Sequence, residues 1–362
     1  MTRVLILTAS VGEGHDLPAR TLTAQLQAES PETEIVVEDG LAAMGRLLVA
    51  VADDGIRAVT DRRQWVFDLS YGMFARFPPV RAASRELLAR VAAPRLRALV
   101  EAVEPDVVVS VYPVTTEVLG WMRRRRMLAV PACAAITDLS ALRYWAAPGI
   151  DLHLLTHAES IAEVRRIAGE ETEIRCVRGL TAADFAEARD PREARRALGL
   201  PAEGKIVLVS GGGWAVGDLA GAVKAALATE GVACVACLCG RNDDVRRRLE
   251  RDFAGRDRVR VVGFTDVMGD WLAAGDALVH STAGLTILEA HIRGCAAISY
   301  GWGRGHIRLN NAAFRRFGLA EVAASRRDLE NALHVALRSR REPDLSFGQL
   351  PSAASLVLEL AG

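Results

Sequence analysis

Lysine is nearly absent from this chain of 362 residues. Lys205 and Lys224 are the two it has, and arginine supplies the rest of the 45 basic side chains. In so alanine-rich a sequence that imbalance reads as genome-wide bias rather than function. A surplus of either charge is missing too, because 45 acidic side chains bring the formal net charge to zero. A general nucleic-acid binder carries a basic excess, so no nucleic-acid partner is expected. Long apolar runs are also lacking. The first, at residues 4–11, breaks at Gly12-Glu13-Gly14, too early for a secretory leader. No uninterrupted apolar stretch approaches the ~20 residues that span a bilayer. The six cysteines sit mostly inside apolar, strand-like runs, as reduced core thiols do. These absences together predict a cytoplasmic protein.

What the chain does have is strand–helix alternation. Half of it is hydrophobic and a quarter charged, and its length suits two or three domains. Short β-branched runs at 3–8, 34–37, 106–112, 132–137 and 152–155 read as strands. So do 206–210, 232–239, 259–264, 277–281 and 296–300. Most are apolar throughout, the pattern of parallel strands covered on both faces. Helix-period stretches such as 19–28, 82–103 and 220–228 lie between them. This predicts α/β, doubly wound sheets.

The arrangement begins twice. Val4-Leu5-Ile6-Leu7-Thr8 runs into Gly12-Glu13-Gly14-His15, and Ile206-Val207-Leu208-Val209-Ser210 runs into Gly211-Gly212-Gly213. Two Rossmann-like domains are therefore expected, at 1–180 and 203–345, with a polar linker at 181–202. A C-terminal helix within 346–362 can pack back on the first domain. Two such domains facing each other would form a central cleft at the carboxyl ends of both sheets, where open α/β folds bind ligands.

A glycine-rich turn at a helix start lets backbone N–H groups approach an anion, and the helix dipole favours negative charge there. The Gly211–Gly213 turn could hold a diphosphate in this way. It is neither a Walker loop nor a G-x-G-x-x-G fingerprint, and a tight turn needing positive φ is the alternative for either loop alone. His15, at the end of the first strand, is a candidate general base near neutral pH; its alternative is a helix-start residue that bonds to backbone.

The decapeptide Ile6-Leu7-Thr8-Ala9-Ser10-Val11-Gly12-Glu13-Gly14-His15 resembles the opening of monogalactosyldiacylglycerol synthases and processive diacylglycerol glucosyltransferases. Cys239-Gly240-Arg241-Asn242 and Val262-Gly263-Phe264-Thr265-Asp266-Val267-Met268 match the same group. So does Ala283-Gly284-Leu285-Thr286-Ile287-Leu288-Glu289-Ala290, which is also similar to the donor motif of the lipid II N-acetylglucosaminyltransferase.

The resemblance implies a GT-B glycosyltransferase, with the acceptor on the first domain and a UDP-sugar on the second. It implies donor contacts at Gly211, Gly212, Gly213, Arg241, Asn242, Thr265, Met268 and Leu285. Phe264 would sit beside the uracil and Glu289 would bind the ribose hydroxyls. The turn of Thr282, Ala283, Gly284 and Thr286 would meet the diphosphate. His306 and Asn310 would lie at the sugar. Family members invert at the anomeric carbon, and His15 matches their base position. Asp138 is a second catalytic candidate, with a helix cap after its strand as the alternative. On the acceptor side stand Gly12, Glu13 and Gly14, with Trp65, Tyr71 and Phe74 in an aromatic, basic segment. That segment suits either a lipid-facing lid or an ordinary helix packed on its domain. No Asp-x-Asp occurs, so no metal is expected, and no cofactor beyond the UDP-sugar as co-substrate.

Two further signals point toward a membrane or away from a metal. Arg123–Arg126 could meet anionic lipid headgroups or line a solvated face, which would place the protein peripherally at the inner membrane surface. Cys234-x-x-Cys237-x-Cys239 invites a zinc reading, but strand alternation sends Cys234 to the face opposite the other two. One departure from the family concerns the sugar. Where the lipid synthases have Gly-Gln-Glu and then Asn, this chain has Gly305-His306-Ile307 and then Asn310, removing a pair that would bond sugar hydroxyls. The function expected is transfer of a sugar to a lipid or other hydrophobic hydroxyl compound. The alternatives are a tailoring enzyme for a small soluble metabolite, a UDP-N-acetylglucosamine 2-epimerase-like enzyme, and a non-catalytic nucleotide-sugar-binding protein.

Overall fold

The computed structural model describes residues 1–9, 13–45, 49, 78–140, 142–281, 285–301 and 305–362. The described chain divides into two compact units, Met1–Thr181 with Leu350–Gly362, and Ala182–Gln349.

The first unit is built on β1 (Arg3–Thr8), β2 (Glu34–Asp39), β3 (Val107–Ser110), β4 (Ala132–Ile136), β5 (Leu152–Leu155) and β6 (Glu173–Cys176). They form one parallel sheet in the order β2-β1-β3-β4-β5-β6. Alternate residues feed two separate cores, which is why these strands are apolar at nearly every position. Leu5, Leu7 and Val108 pack with Leu96 and Leu119, from helices α3 (Pro78–Val103) and α4 (Pro113–Arg124). Helices α1 (Glu13–Glu29) and α2 (Gly40–Met44) precede these in the chain. On the other face, Val4, Ile6 and Val107 pack with Leu22 and Leu26 of α1 and with Val357 of the final helix, Ala353–Ala361. That last helix is capped by Ser352, whose hydroxyl accepts from Ala354 N at 3.2 Å. It is tied to α1 by Ser355 Oγ donating to Glu29 Oε2 at 2.8 Å.

The second unit carries β7 (Lys205–Ser210), β8 (Val232–Leu238), β9 (Val259–Val262), β10 (Ala277–His280), β11 (Ala296–Tyr300) and β12 (Glu321–Ala323). Its parallel order is β12-β11-β10-β7-β8-β9. In the unit's own succession that is the Rossmann order, reversing direction between β7 and β10. Cys237 and Cys239 lie in one of its cores with Val207 and Val235, so they are packing groups. Among the described residues no group of three or more His, Cys, Asp or Glu side chains is gathered as a metal site.

Two strands escape the sequence pattern, both at sheet edges. β6 alternates exposed and half-buried residues, and β12 has three residues. The stretch expected as a linker, 181–202, instead falls almost wholly inside the second unit. Its polar residues hold structure. Asp190 caps a helix at Pro191–Ala197 by accepting from Arg192 N and Glu193 N, both at 2.9 Å. Arg189 pairs with Asp270 at 2.6 Å, and Arg195 with the buried Asp276 at 2.8 Å. Among the described residues, no helix is long and apolar enough to cross a membrane.

Candidate functional site

In an open α/β sheet the strand ends part at the point where the winding reverses, leaving a crevice outside their carboxyl ends. In the second unit that point lies between Ser210 and His280, which are register partners in adjacent strands. The glycine turn begins there. Gly211 must be glycine because an added Cβ would lie 2.5 Å from the Ala215 carbonyl carbon and the Val216 oxygen. Ser210 supports the turn by accepting from Gly212 N at 3.2 Å through its hydroxyl. Its carbonyl accepts from Ser281 N at 3.2 Å. Gly217 closes the turn against Ser281, with φ of +105° and a Cβ position 2.5 Å from the serine Cβ. The turn is thus locked onto Ser281, the last described residue before Thr282, Ala283 and Gly284, which lie outside the described residues.

Three other predicted residues join the same cluster through direct contacts. Arg241 N donates to Gly213 O at 2.8 Å. The Arg241 guanidinium lies 3.8 Å from the centroid of the Phe264 ring, a cation–π contact. Asn242 uses both ends of its amide. Its Oδ1 caps the helix at Asp243–Asp252 by accepting from Val245 N at 3.1 Å, and its Nδ2 donates to Trp214 O at 3.0 Å. Phe264 remains half exposed, leaving ring surface for a flat ligand. Thr265 accepts from Val267 N at 3.2 Å, shaping the turn into the helix Met268–Ala274, whose first residue Met268 is half-buried.

Leu285, Thr286 and Glu289 fall on the helix Leu285–Ile292, with Leu285 and Glu289 buried and Thr286 half-buried. Asn310 lies on the helix Gly305–Phe317 and is fully buried, yet among the described residues neither its Oδ1 nor its Nδ2 has a hydrogen-bond partner. A buried unpaired amide costs ~1–3 kcal/mol, which a ligand hydroxyl could recover. His306 belongs to the first turn of the same helix by its backbone.

Sequence reasoning missed the groups that brace the turn. Asp218 caps the helix Leu219–Ala228 by accepting from Gly221 N at 2.8 Å, and it accepts from Tyr300 Oη at 3.3 Å. Burial and that carboxylate raise the Tyr300 pKa. The cue was faint: an aspartate two residues before the apolar helix pattern at 220–228, and a tyrosine at a strand end. His280 is fully buried beside Ser210, and burial pushes it down to about 4, so it is neutral at pH 7.

In the first unit the winding reverses between β1 and β3. Glu13, Gly14 and His15 form the first turn of α1, directly after the β1 carboxyl end. Gly12 lies outside the described residues, as do Trp65, Tyr71 and Phe74. At the β3 end a buried hydroxyl network stands, with Thr116 Oγ1 donating to Ser110 Oγ at 2.9 Å and Thr115 Oγ1 to Tyr112 O at 2.7 Å. The Tyr112 phenol is pushed up to about 12 by burial and then by Asp39. Asp138 follows β4 and accepts from the Trp145 indole at 3.1 Å, so it fixes a buried tryptophan rather than capping a helix. In the arginine run Arg124, Arg125 and Arg126 are exposed, and the first three arginines also make contacts within the unit. Arg123 pairs with Asp151 at 2.5 Å, Arg124 donates to Pro148 O, and Arg125 pairs with Glu86 at 2.9 Å while lying over Trp121.

Residues 15–179 match the family profile described as Monogalactosyldiacylglycerol (MGDG) synthase. The chain is 24% identical over 222 residues to the processive diacylglycerol beta-glucosyltransferase of Staphylococcus saprophyticus subsp. saprophyticus, covering 61% of this chain and 56% of that protein. It thus spans little more than half of that relative's length. With the Bacillus pumilus protein of the same name it is 20% identical over 331 residues, 90% of this chain and 84% of that one. With the chloroplastic monogalactosyldiacylglycerol synthase 1 of Arabidopsis thaliana it is 29% identical over 210 residues, 55% and 39% of the two chains. Among solved structures, the spinosyn rhamnosyltransferase SpnG aligns over 100% of both chains with a TM-score of 0.60 at 14% identity. Arabidopsis thaliana UGT89C1 complexed with UDP aligns over 100% of both at 0.56 and 11%. At such identities the structural likeness establishes the fold, which is that of the GT-B glycosyltransferases.

Proposed function

We propose that this chain transfers a hexose from a UDP-sugar to a hydroxyl of diacylglycerol or a related glycolipid, with inversion at the anomeric carbon and without a metal ion. The observation that carries the reading is the locked glycine turn at the reversal point of the second sheet, joined through Arg241 and Asn242 to the half-exposed Phe264. Such a turn offers amides to a diphosphate next to an aromatic face for a base. The relatives' names supply the lipid acceptor and the sugar class. UDP accompanies one of the structural neighbours.

In this reading Gly211, Gly212 and Gly213 meet the diphosphate together with Thr282, Ala283, Gly284 and Thr286. Phe264 lies against the uracil, and Glu289 accepts both ribose hydroxyls, a charge-assisted pair strengthened by the burial of that carboxylate. Asn310 and His306 serve the sugar. His15 takes the acceptor proton as the acceptor oxygen forms its bond to the anomeric carbon. The bond from that carbon to the diphosphate oxygen breaks on the opposite side, and its electron pair leaves with UDP. Turn amides and helix starts oriented before the reaction can stabilise that developing charge.

The test is UDP release from UDP-glucose or UDP-galactose in the presence of diacylglycerol vesicles. Release should require the vesicles and persist in EDTA. Release abolished by EDTA and restored by magnesium would overturn the metal-free step. Release without any acceptor would overturn the lipid transfer.

A further inference from the structure

Four tryptophans lie among the described residues, and three are sealed into cores: Trp121 is 7%, Trp145 4% and Trp271 6% exposed. Trp214 is 64% exposed. Burying a large aromatic side chain stabilises a fold by on the order of 2–3 kcal/mol, so leaving this one in solvent forgoes most of that gain.

A loosely held backbone does not account for the exposure. The Trp214 carbonyl accepts from Asn242 Nδ2 at 3.0 Å. The carbonyls of Gly211, Gly212 and Gly213 accept from Val216, Ala215 and Arg241 N–H groups at 2.9, 3.2 and 2.8 Å. Ala215, the next residue, has φ of 54° and ψ of 46°, the left-handed region that costs a residue with a Cβ ~1–2 kcal/mol. Ala215 is also 6% exposed and packs in the unit's core beside Val207 and Leu219. The turn therefore spends strain to anchor Ala215 inward, while its neighbour's indole stays outside any core.

The indole projects from the turn that would hold the diphosphate, and a sugar is one bond beyond that diphosphate. The base already has its own aromatic surface in Phe264. An exposed indole presents a flat apolar face with a negative quadrupole, suited to the C–H face of a pyranose ring, whose hydrogens carry partial positive charge. We infer that Trp214 is the platform on which the hexose ring of the nucleotide sugar stacks, so that it sets affinity for the sugar rather than for the nucleotide. The inference rests on the nucleotide-sugar reading of the second unit.

Titration calorimetry of the full chain with UDP, UDP-glucose, UDP-galactose and UDP-N-acetylglucosamine separates the roles. For the tightest UDP-hexose, Trp214→Ala weakens binding by about tenfold and leaves UDP within about twofold, while Trp214→Phe keeps most of the hexose affinity. Tryptophan emission of the wild type is quenched by that UDP-hexose beyond any effect of UDP, and Trp214→Phe loses the difference. Equal weakening of UDP and UDP-hexose in Trp214→Ala would overturn the stacking role, and so would no change in either. A wild type that binds no uridine nucleotide would overturn the nucleotide-sugar reading itself, and the stacking role with it.

Discussion

Replacing His15 by alanine lowers sugar transfer by ~10²–10⁴-fold, the range for a lost general base, and leaves UDP affinity unchanged. The expectation follows from where the residue stands and what the reaction needs. His15 is in the first turn of the helix that follows β1, at the carboxyl edge of the first sheet, beside the reversal between β1 and β3. An acceptor hydroxyl is a poor nucleophile until its proton leaves, and imidazole titrates near neutral pH. Steady-state rates with UDP-sugar and diacylglycerol, together with UDP calorimetry on the same variant, separate catalysis from binding. Near-normal turnover in His15→Ala would remove it as the base. Asp138 is the weaker candidate because its carboxylate already accepts from the Trp145 indole at 3.1 Å.

A second large effect belongs to Gly211→Ala. The new methyl would lie 2.5 Å from the Ala215 carbonyl carbon and the Val216 oxygen, both backbone atoms that cannot swing aside as a side chain would. The turn has to open, and its amides leave the positions in which they can meet a diphosphate. Losing two such charge-assisted hydrogen bonds, each worth ~1.5–3 kcal/mol, weakens UDP binding by ~10²-fold or more. Calorimetry reads the affinity, and circular dichroism checks that the unit still folds. A folded Gly211→Ala variant with wild-type UDP affinity would show that the turn does not hold the diphosphate.

Much of this was legible in the sequence for a simple physical reason. Central parallel strands are covered on both faces, so Val4-Leu5-Ile6-Leu7 and Ile206-Val207-Leu208-Val209 announce themselves as continuous apolar runs. β6 and β12 lie at sheet edges, where one side needs no apolar partner, and neither stands out. The 181–202 stretch misled because a polar segment reads as solvated until its partners are known. Asp190 caps a helix, and Arg189 and Arg195 reach aspartates some 81 residues away. The arginines at 124–126 are exposed, as a solvated face would be, but the contacts of Arg123, Arg124 and Arg125 with Asp151, Pro148 and Glu86 could not be read from the run itself. In the candidate site, the glycine turn could be found from the strand it follows, and Arg241, Asn242 and Phe264 from the family resemblance of their segments. Trp214 could not, because a single aromatic after three glycines has no period, and only its 64% exposure distinguishes it from the buried tryptophans. Asn310 was found by its place in a motif, but that its amide has no partner among the described residues is visible only once the fold buries it.

The central claim is that the second unit binds a uridine nucleotide sugar, and thermal unfolding tests it without knowledge of the acceptor. A ligand that binds only the folded state stabilises it by ~2.7 kcal/mol at a hundred times its Kd. Across UDP, GDP and TDP and their sugars, the account predicts a rise in Tm with UDP and with at least one UDP-sugar. The rise should be smaller in Glu289→Ala, whose UDP affinity falls by ~1.5–3 kcal/mol. No rise with any uridine nucleotide would contradict the account and leave the glycine turn without its ligand.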